Sequence, residues 1–165
     1  MLELEISEET LLRDTRRALE MMARLAALGV EFSLDDFGTG YSSLEQLRKL
    51  PVQTLKIDRS FVMNMSGEAQ DEQVVSSIVA LGQGLGLRVV AEGVESEAHL
   101  SKLREFGCDV AQGFHVSRPI AAEELIEWLR ARPAGPMRGP ARAAAPAPSA
   151  AGSERRVGKF AGRTF

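Results

Sequence analysis

The chain has 165 residues, 44% of them hydrophobic and 26% charged, with a formal net charge of −3 and a single cysteine. That length suffices for one domain with one core. No apolar run reaches the ~18 residues that would cross a bilayer, no basic segment leading into an apolar one opens the chain as an export signal, and Cys108 has no second cysteine to pair with. A cytoplasmic protein is expected, with Cys108 as a small buried hydrophobe. The charge is uneven: residues 133–165 carry six basic residues and one acidic (net +5), leaving 14 basic against 22 acidic in residues 1–132 (net −8). An acidic body argues against a surface for duplex DNA or RNA and suits a ligand reached through metal ions.

In chain order, residues 2–6 alternate, with Glu3 and Glu5 on one side and Leu2, Leu4 and Ile6 on the other, which is a strand pattern. Apolar residues from Leu11 to Ala26 recur at helical spacing until Gly29, an expected stop. A second strand is predicted over 30–35, and a short helix over 42–49 halted by Pro51, with Ser42 and Glu45 spaced as a capping box. A third strand (54–57), a helix (71–84) ending among Gly82, Gly84 and Gly86, a fourth strand (88–91), a helix (96–106) closed by Gly107, a fifth strand (110–112) and a last helix (122–131) follow. Met21, Met22 and Met63 read as core filler. From residue 133 the composition turns to Ala, Pro, Gly, Ser and Arg, so 133–165 is expected to be a disordered tail whose basic residues are solvated.

Strands alternating with helices at this spacing indicate parallel βαβ units. Because alternate strand residues share a face, Glu3 points with Glu5, Ser33 with Asp35, and Thr54 with Lys56 and Asp58. Glu92 adds a carboxylate at the end of the fourth strand. Several strands that each bring a polar group to their C-terminal end place these groups where α/β barrels build active sites. Hard divalent cations such as Mg2+ or Mn2+ take oxygen ligands and neutralise such a cluster. His99 and His115 lack partners at zinc spacing and read as structural or exposed. Gly38-Thr39-Gly40 reads as a mobile βα loop anchored by Phe37 and Tyr41. Five parallel units leave two open edges, so the chain forms either a small open sheet or the latter part of a barrel that normally needs ~250 residues.

Asp35-Asp36-Phe37-Gly38-Thr39-Gly40-Tyr41-Ser42-Ser43-Leu44 resembles the signature of the EAL-type cyclic-di-GMP phosphodiesterases. Leu2-Glu3-Leu4-Glu5-Ile6-Ser7-Glu8, Leu55-Lys56-Ile57-Asp58-Arg59-Ser60-Phe61-Val62, Val90-Ala91-Glu92-Gly93-Val94-Glu95 and Gly107-Cys108-Asp109-Val110-Ala111-Gln112-Gly113 fall in the family's order. The resemblance covers residues 1 to about 131 and implies the second half of a TIM-like (β/α)8 barrel in residues 1–132. It also implies metal-dependent hydrolysis of cyclic di-GMP to linear pGpG.

By that resemblance, Glu5, Asp35, Asp36 and Asp58 correspond to the metal-binding carboxylates, with Asp35 bridging two ions. Lys56 corresponds to the residue that holds or deprotonates the attacking water, and Glu92 to a carboxylate beside the second metal. Glu8 corresponds to the residue steadying the loop at 37–43, and Glu95 and Gln112 to groups lining the substrate site. The tripeptide Glu-Ala-Leu that names the family is absent from the chain, as are the other early ligands, so the 165 residues alone are expected not to turn over substrate. The competing expectation is a module that binds cyclic di-GMP without hydrolysis, or that pairs with a second copy or another EAL-type chain through its open edges. A metal-dependent lyase or isomerase with Lys56 as base also fits carboxylates on successive strands.

Overall fold

A computed structural model describes residues 2–40, 44–65, 67 and 69–131. Tyr41, the Ser42 cap and the tail from residue 133 lie outside the described residues. Five strands, β1 (Leu2–Ser7), β2 (Val30–Phe37), β3 (Thr54–Ile57), β4 (Arg88–Ala91) and β5 (Val110–Ala111), form one all-parallel sheet in sequence order. Such an order follows from right-handed βαβ crossovers, each adding the next strand beside the last. Around them run α1 (Glu8–Arg13), α2 (Thr15–Ala26), α3 (Leu44–Leu47), α4 (Arg59–Asn64), α5 (Ala69–Leu85), α6 (Glu97–Phe106) and α7 (Ala122–Ala131).

The two faces of the sheet differ in chemistry. Phe32, Leu34, Leu55, Ile57, Val89 and Ala91 are buried in the core with Met22, Val62, Val75, Val79 and Leu103 from the helices. Full burial of a side chain such as Phe32 or Leu34 contributes about 1.5–3 kcal/mol. The opposite face carries Glu3, Glu5, Glu31, Ser33, Asp35, Thr54, Lys56 and Arg88, aligned by pairings such as Glu5 with Ser33, Ser33 with Thr54 and Thr54 with Arg88. This is the alternation read from the sequence.

The helices depart from that reading in two places. The single helix expected from Leu11 is two, because Asp14 leaves helical geometry and its side chain accepts the Arg17 amide at 3.1 Å, capping α2. α4 was not anticipated: at six residues it is too short to display a period, and it is started by Asp58, which caps it. α5 ends at Leu85, just before left-handed Gly86, within the glycine group where its end was expected. A β-carbon on Gly82 would stand 2.4 Å from a Val89 methyl, so this glycine lets α5 lie close on β4. Met22 is core as expected, but Met21 and Met63 are exposed.

α7 buries no residue and presents Leu125, Ile126 and Leu129 outward. No helix among the described residues is long and apolar enough to cross a membrane.

Candidate active site

The strand ends are organised around Lys56, buried on the polar face of β3 at 6% exposure. Its Nζ lies 2.7 Å from Oε1 of Glu5 on β1, 2.6 Å from Oε1 of Glu92 just past β4, and 3.3 Å from Oδ1 of Asp35 on β2. Three strands thus converge on one ammonium. Burial by itself works to lower the Lys56 pKa, but the hydrogen bonds to Glu5 and Glu92 and the charges of Glu92 and Asp35 outweigh it and raise the value. As the site stands, Lys56 is an ammonium.

Asp35 and Asp36 are neighbours, and on a regular strand they would face opposite ways. Between Leu34, paired with Leu55, and Phe37, paired with Ile57, β2 carries one residue more than β3. That bulge is taken up at Asp36, whose φ of +54° is left-handed and whose amide hydrogen-bonds Oδ1 of Asp35 at 3.0 Å. The bulge brings the Asp36 carboxyl toward Asp58: burial first, then Asp35, Asp58 and Glu92, push its pKa up. Burial also pushes the Asp58 pKa upward, but its hydrogen bonds from the Ser60 hydroxyl and amide, with the nearby Arg59 charge, bring it down overall.

Five carboxylates therefore gather with one buried ammonium at one end of the sheet, an oxygen-only donor set with excess negative charge. In chemistry this fits a hard divalent cation. Among the described residues, no three acidic, His or Cys side chains form a ready-made ligand group; Glu5, Asp35 and Glu92 meet Lys56 instead. At the other end of the same face, Arg88 contacts Glu3 at 3.5 Å and Thr54 at 3.3 Å, so the charges there pair among themselves.

Glu8 opens α1, is buried at 3% exposure, and accepts the Gly40 amide at 3.2 Å. A β-carbon at Gly40 would meet the Glu8 carboxyl at 2.7 Å, so the loop after β2 closes directly on this side chain. Beside the cluster opens a cleft of about 620 Å³, lined by Glu92, Gly93, Glu95, Gln112, Gly113 and Phe114 on one side and by Arg59, Ser60, Met63 and Asn64 of α4 on the other. Its volume is that of a small-molecule site. Val94 donates to the Gln112 carbonyl at 3.0 Å and accepts from the His115 amide at 2.9 Å. Gly113 packs so closely on Val94 that no side chain could stand there.

The structure thus brings Glu5, Asp35, Lys56 and Glu92 into contact, sets Asp36 and Asp58 beside them, and puts Glu95 and Gln112 on the cleft wall with Glu92. The α4 residues and Phe114 were missed by sequence reasoning. The cap pattern of Asp58 and Ser60 was the available signal for α4. His99 is buried, with Nδ1 3.4 Å from the Glu95 amide, and His115 lies 3.1 Å from Glu97.

The sequence matches the EAL domain over residues 1–119. The cyclic di-GMP phosphodiesterase NbdA of Pseudomonas aeruginosa is 47% identical over 130 residues, which cover 79% of this chain and 17% of that protein. The bifunctional diguanylate cyclase/cyclic di-GMP phosphodiesterase MucR of the same organism is 49% identical over 123 residues, 74% of this chain and 18% of that protein. Among solved structures, the MucR phosphodiesterase in complex with c-di-GMP superposes with a TM-score of 0.73 at 49% identity, covering 75% of this chain and 50% of that one. The EAL domain of Mycobacterium smegmatis DcpA gives 0.71 at 43% identity, covering 78% and 57%. The chain spans less than a fifth of these curated relatives and about half of the solved chains. Its parallel strand-and-helix order is that of part of a TIM-like barrel, and the chain belongs to the EAL domain family.

Proposed function

We propose that this chain supplies the Lys56-centred part of a phosphodiesterase site that hydrolyses cyclic di-GMP to linear pGpG. The observation that carries the proposal is the convergence of Glu5, Asp35 and Glu92 on Lys56 with Asp36 and Asp58 alongside, in a chain 47–49% identical to phosphodiesterases of that name. Glu5, Asp35, Asp36 and Asp58 would hold Mg2+ or Mn2+. Bound there, such ions polarise the phosphodiester and make the attacking water more acidic.

The residues of the chain have separable tasks in this scheme. Lys56 orients the attacking water and donates to the phosphate oxygens as negative charge grows. The proton of that water passes to a carboxylate, and Glu92, 2.6 Å from the ammonium, is positioned to take it. Attack at phosphorus forms the new P–O bond as the bond to the ribose 3′ oxygen breaks, and that oxygen leaves with a proton. Glu8 holds the loop that carries Gly40. Glu95 and Gln112 contact the nucleotide in the cleft they line.

The five strands described are fewer than a TIM-like barrel contains, and such barrels build their sites from the loops of all the strands. The 165 residues by themselves are therefore expected to be a poor enzyme. Joining them to the N-terminal half of the MucR EAL domain tests the proposal. The chimera should convert cyclic di-GMP to pGpG with Mg2+ or Mn2+, the separate chain should not, and Asp35→Asn in the chimera should lower kcat by about a hundredfold or more. A folded chimera that binds cyclic di-GMP without turnover would favour the non-hydrolytic binding module instead.

A further inference from the structure

The three carboxylates that Lys56 holds come from three strands, and two of them, Glu5 and Asp35, are among those assigned above to the cation. An ammonium has three N–H donors, and here each has a carboxylate to meet: Glu5 at 2.7 Å, Glu92 at 2.6 Å and Asp35 at 3.3 Å. A divalent cation approaching Glu5 and Asp35 meets oxygens already turned toward a positive charge. It also meets that charge itself, fixed within ion-pair distance of its ligands.

We propose that Lys56 is an internal counter-ion that competes with the divalent cation for Glu5 and Asp35, so that the cation enters only as the ammonium leaves at least one of them. This rests on the metal-dependent reading given above and goes beyond it by assigning the lysine a role before catalysis. The physical basis is that like-charged carboxylates crowded at one strand end repel one another unless a cation stands between them. Lys56 offsets that repulsion while the cation is away. A flexible four-carbon stem lets the ammonium retreat toward Glu92 without moving β3. Glu92, just past β4 on the cleft wall, then becomes the resting partner of the displaced lysine, and cation entry alters the cleft through it.

The test compares Mn2+ binding to the 165-residue chain and to its Lys56→Met variant by calorimetry or electron paramagnetic resonance, after chelation of both. Removing the competing charge should tighten Mn2+ binding by roughly tenfold or more. The chelated variant should also melt below the wild type and gain more on adding Mn2+. Equal or weaker binding by a folded variant, with clear binding by the wild type, overturns the competition and leaves the metal reading standing. Binding by neither protein overturns the competition in this chain, and the chimera described above then decides the metal reading on its own.

Should Lys56→Met not fold, labelling of the wild-type amines decides. Lys56 should react faster as Mn2+ saturates the protein, measured against Lys49 and Lys102 by mass spectrometry. An unchanged or slower rate at saturation overturns the proposal.

Discussion

Oε1 of Glu92 lies 2.6 Å from Nζ of Lys56, and because Glu92 also lines the cleft, this contact joins the charged cluster on β1, β2 and β3 to the wall built by residues 92–95 and 112–114. Replacing Glu92 by Gln leaves the cleft shape in place and removes one charge from the lysine. Glu5 and Asp35 remain, so the ammonium is not orphaned. Stability should fall by about 1–2 kcal/mol, measured by urea unfolding at neutral pH in chelator.

The same ion pairs set a pH dependence. The Lys56 pKa is raised on folding, so its stabilisation is fully present below the ordinary lysine value of about 10.4 and is lost only as pH rises through the higher folded value. The stability difference between wild type and Lys56→Met should therefore be flat from neutrality to about pH 10, as unfolding curves across that range will show.

The Asp36 shift has the same direction, but in a carboxyl the form that folding favours is the neutral one. Its carboxyl is raised by burial and by Asp35, Asp58 and Glu92, so folding favours its protonated form and the benefit is lost as pH rises through the folded value. Asp36→Asn tolerates the left-handed φ and removes the repulsion. In chelator at pH 7 it should raise Tm by roughly 1–3 °C, with the gain shrinking toward pH 3. Scanning calorimetry at both pH values checks this.

Gly113 should accept no side chain. A β-carbon there would stand 2.3 Å from both the amide nitrogen and the carbonyl oxygen of Val94, and backbone cannot rotate aside as a side chain can. Gly113→Ala should cost about 3 kcal/mol and speed hydrogen exchange at the Val94 and His115 amides, which carry the hydrogen bonds between the two loops. Exchange in β3 should change only by the global loss.

Cys108 should be inert. Burial pushes its thiol up to about 11. Thiolate is the reactive form, so alkylation by iodoacetamide at pH 8 should run about tenfold or more slower than for an ordinary free cysteine. Quantification by mass spectrometry measures it.

Much of this was legible before any coordinates. The alternation of Glu3 and Glu5 with Leu4 and Ile6, and of Lys56 with Leu55 and Ile57, already divided the sheet into a polar and an apolar face, since strand side chains have a period of two. The spacing of five such strands with helices between them indicated parallel order. The residues of the candidate site were named from motifs in the chain, and Glu5, Asp35, Lys56 and Glu92 do meet, across 87 positions of sequence.

Local pattern alone could not decide what depends on packing between distant segments. Nothing in Leu34-Asp35-Asp36-Phe37 announces a bulge, because the extra residue exists only relative to β3, and it is the bulge that brings adjacent aspartates to one cluster of carboxylates. The protonation of Lys56 was equally hidden: its direction of shift is a contest between burial and carboxylates contributed by three other segments. The cleft wall of α4 with Phe114, and the seat of Gly113 on Val94, are likewise products of loops meeting in space. Sequence determined which chemical groups lie at the strand ends, because backbone periodicity acts over a few residues. Tertiary structure decided which of them pair and which stay in excess, because Coulomb energy and desolvation depend on distances that only the folded sheet sets.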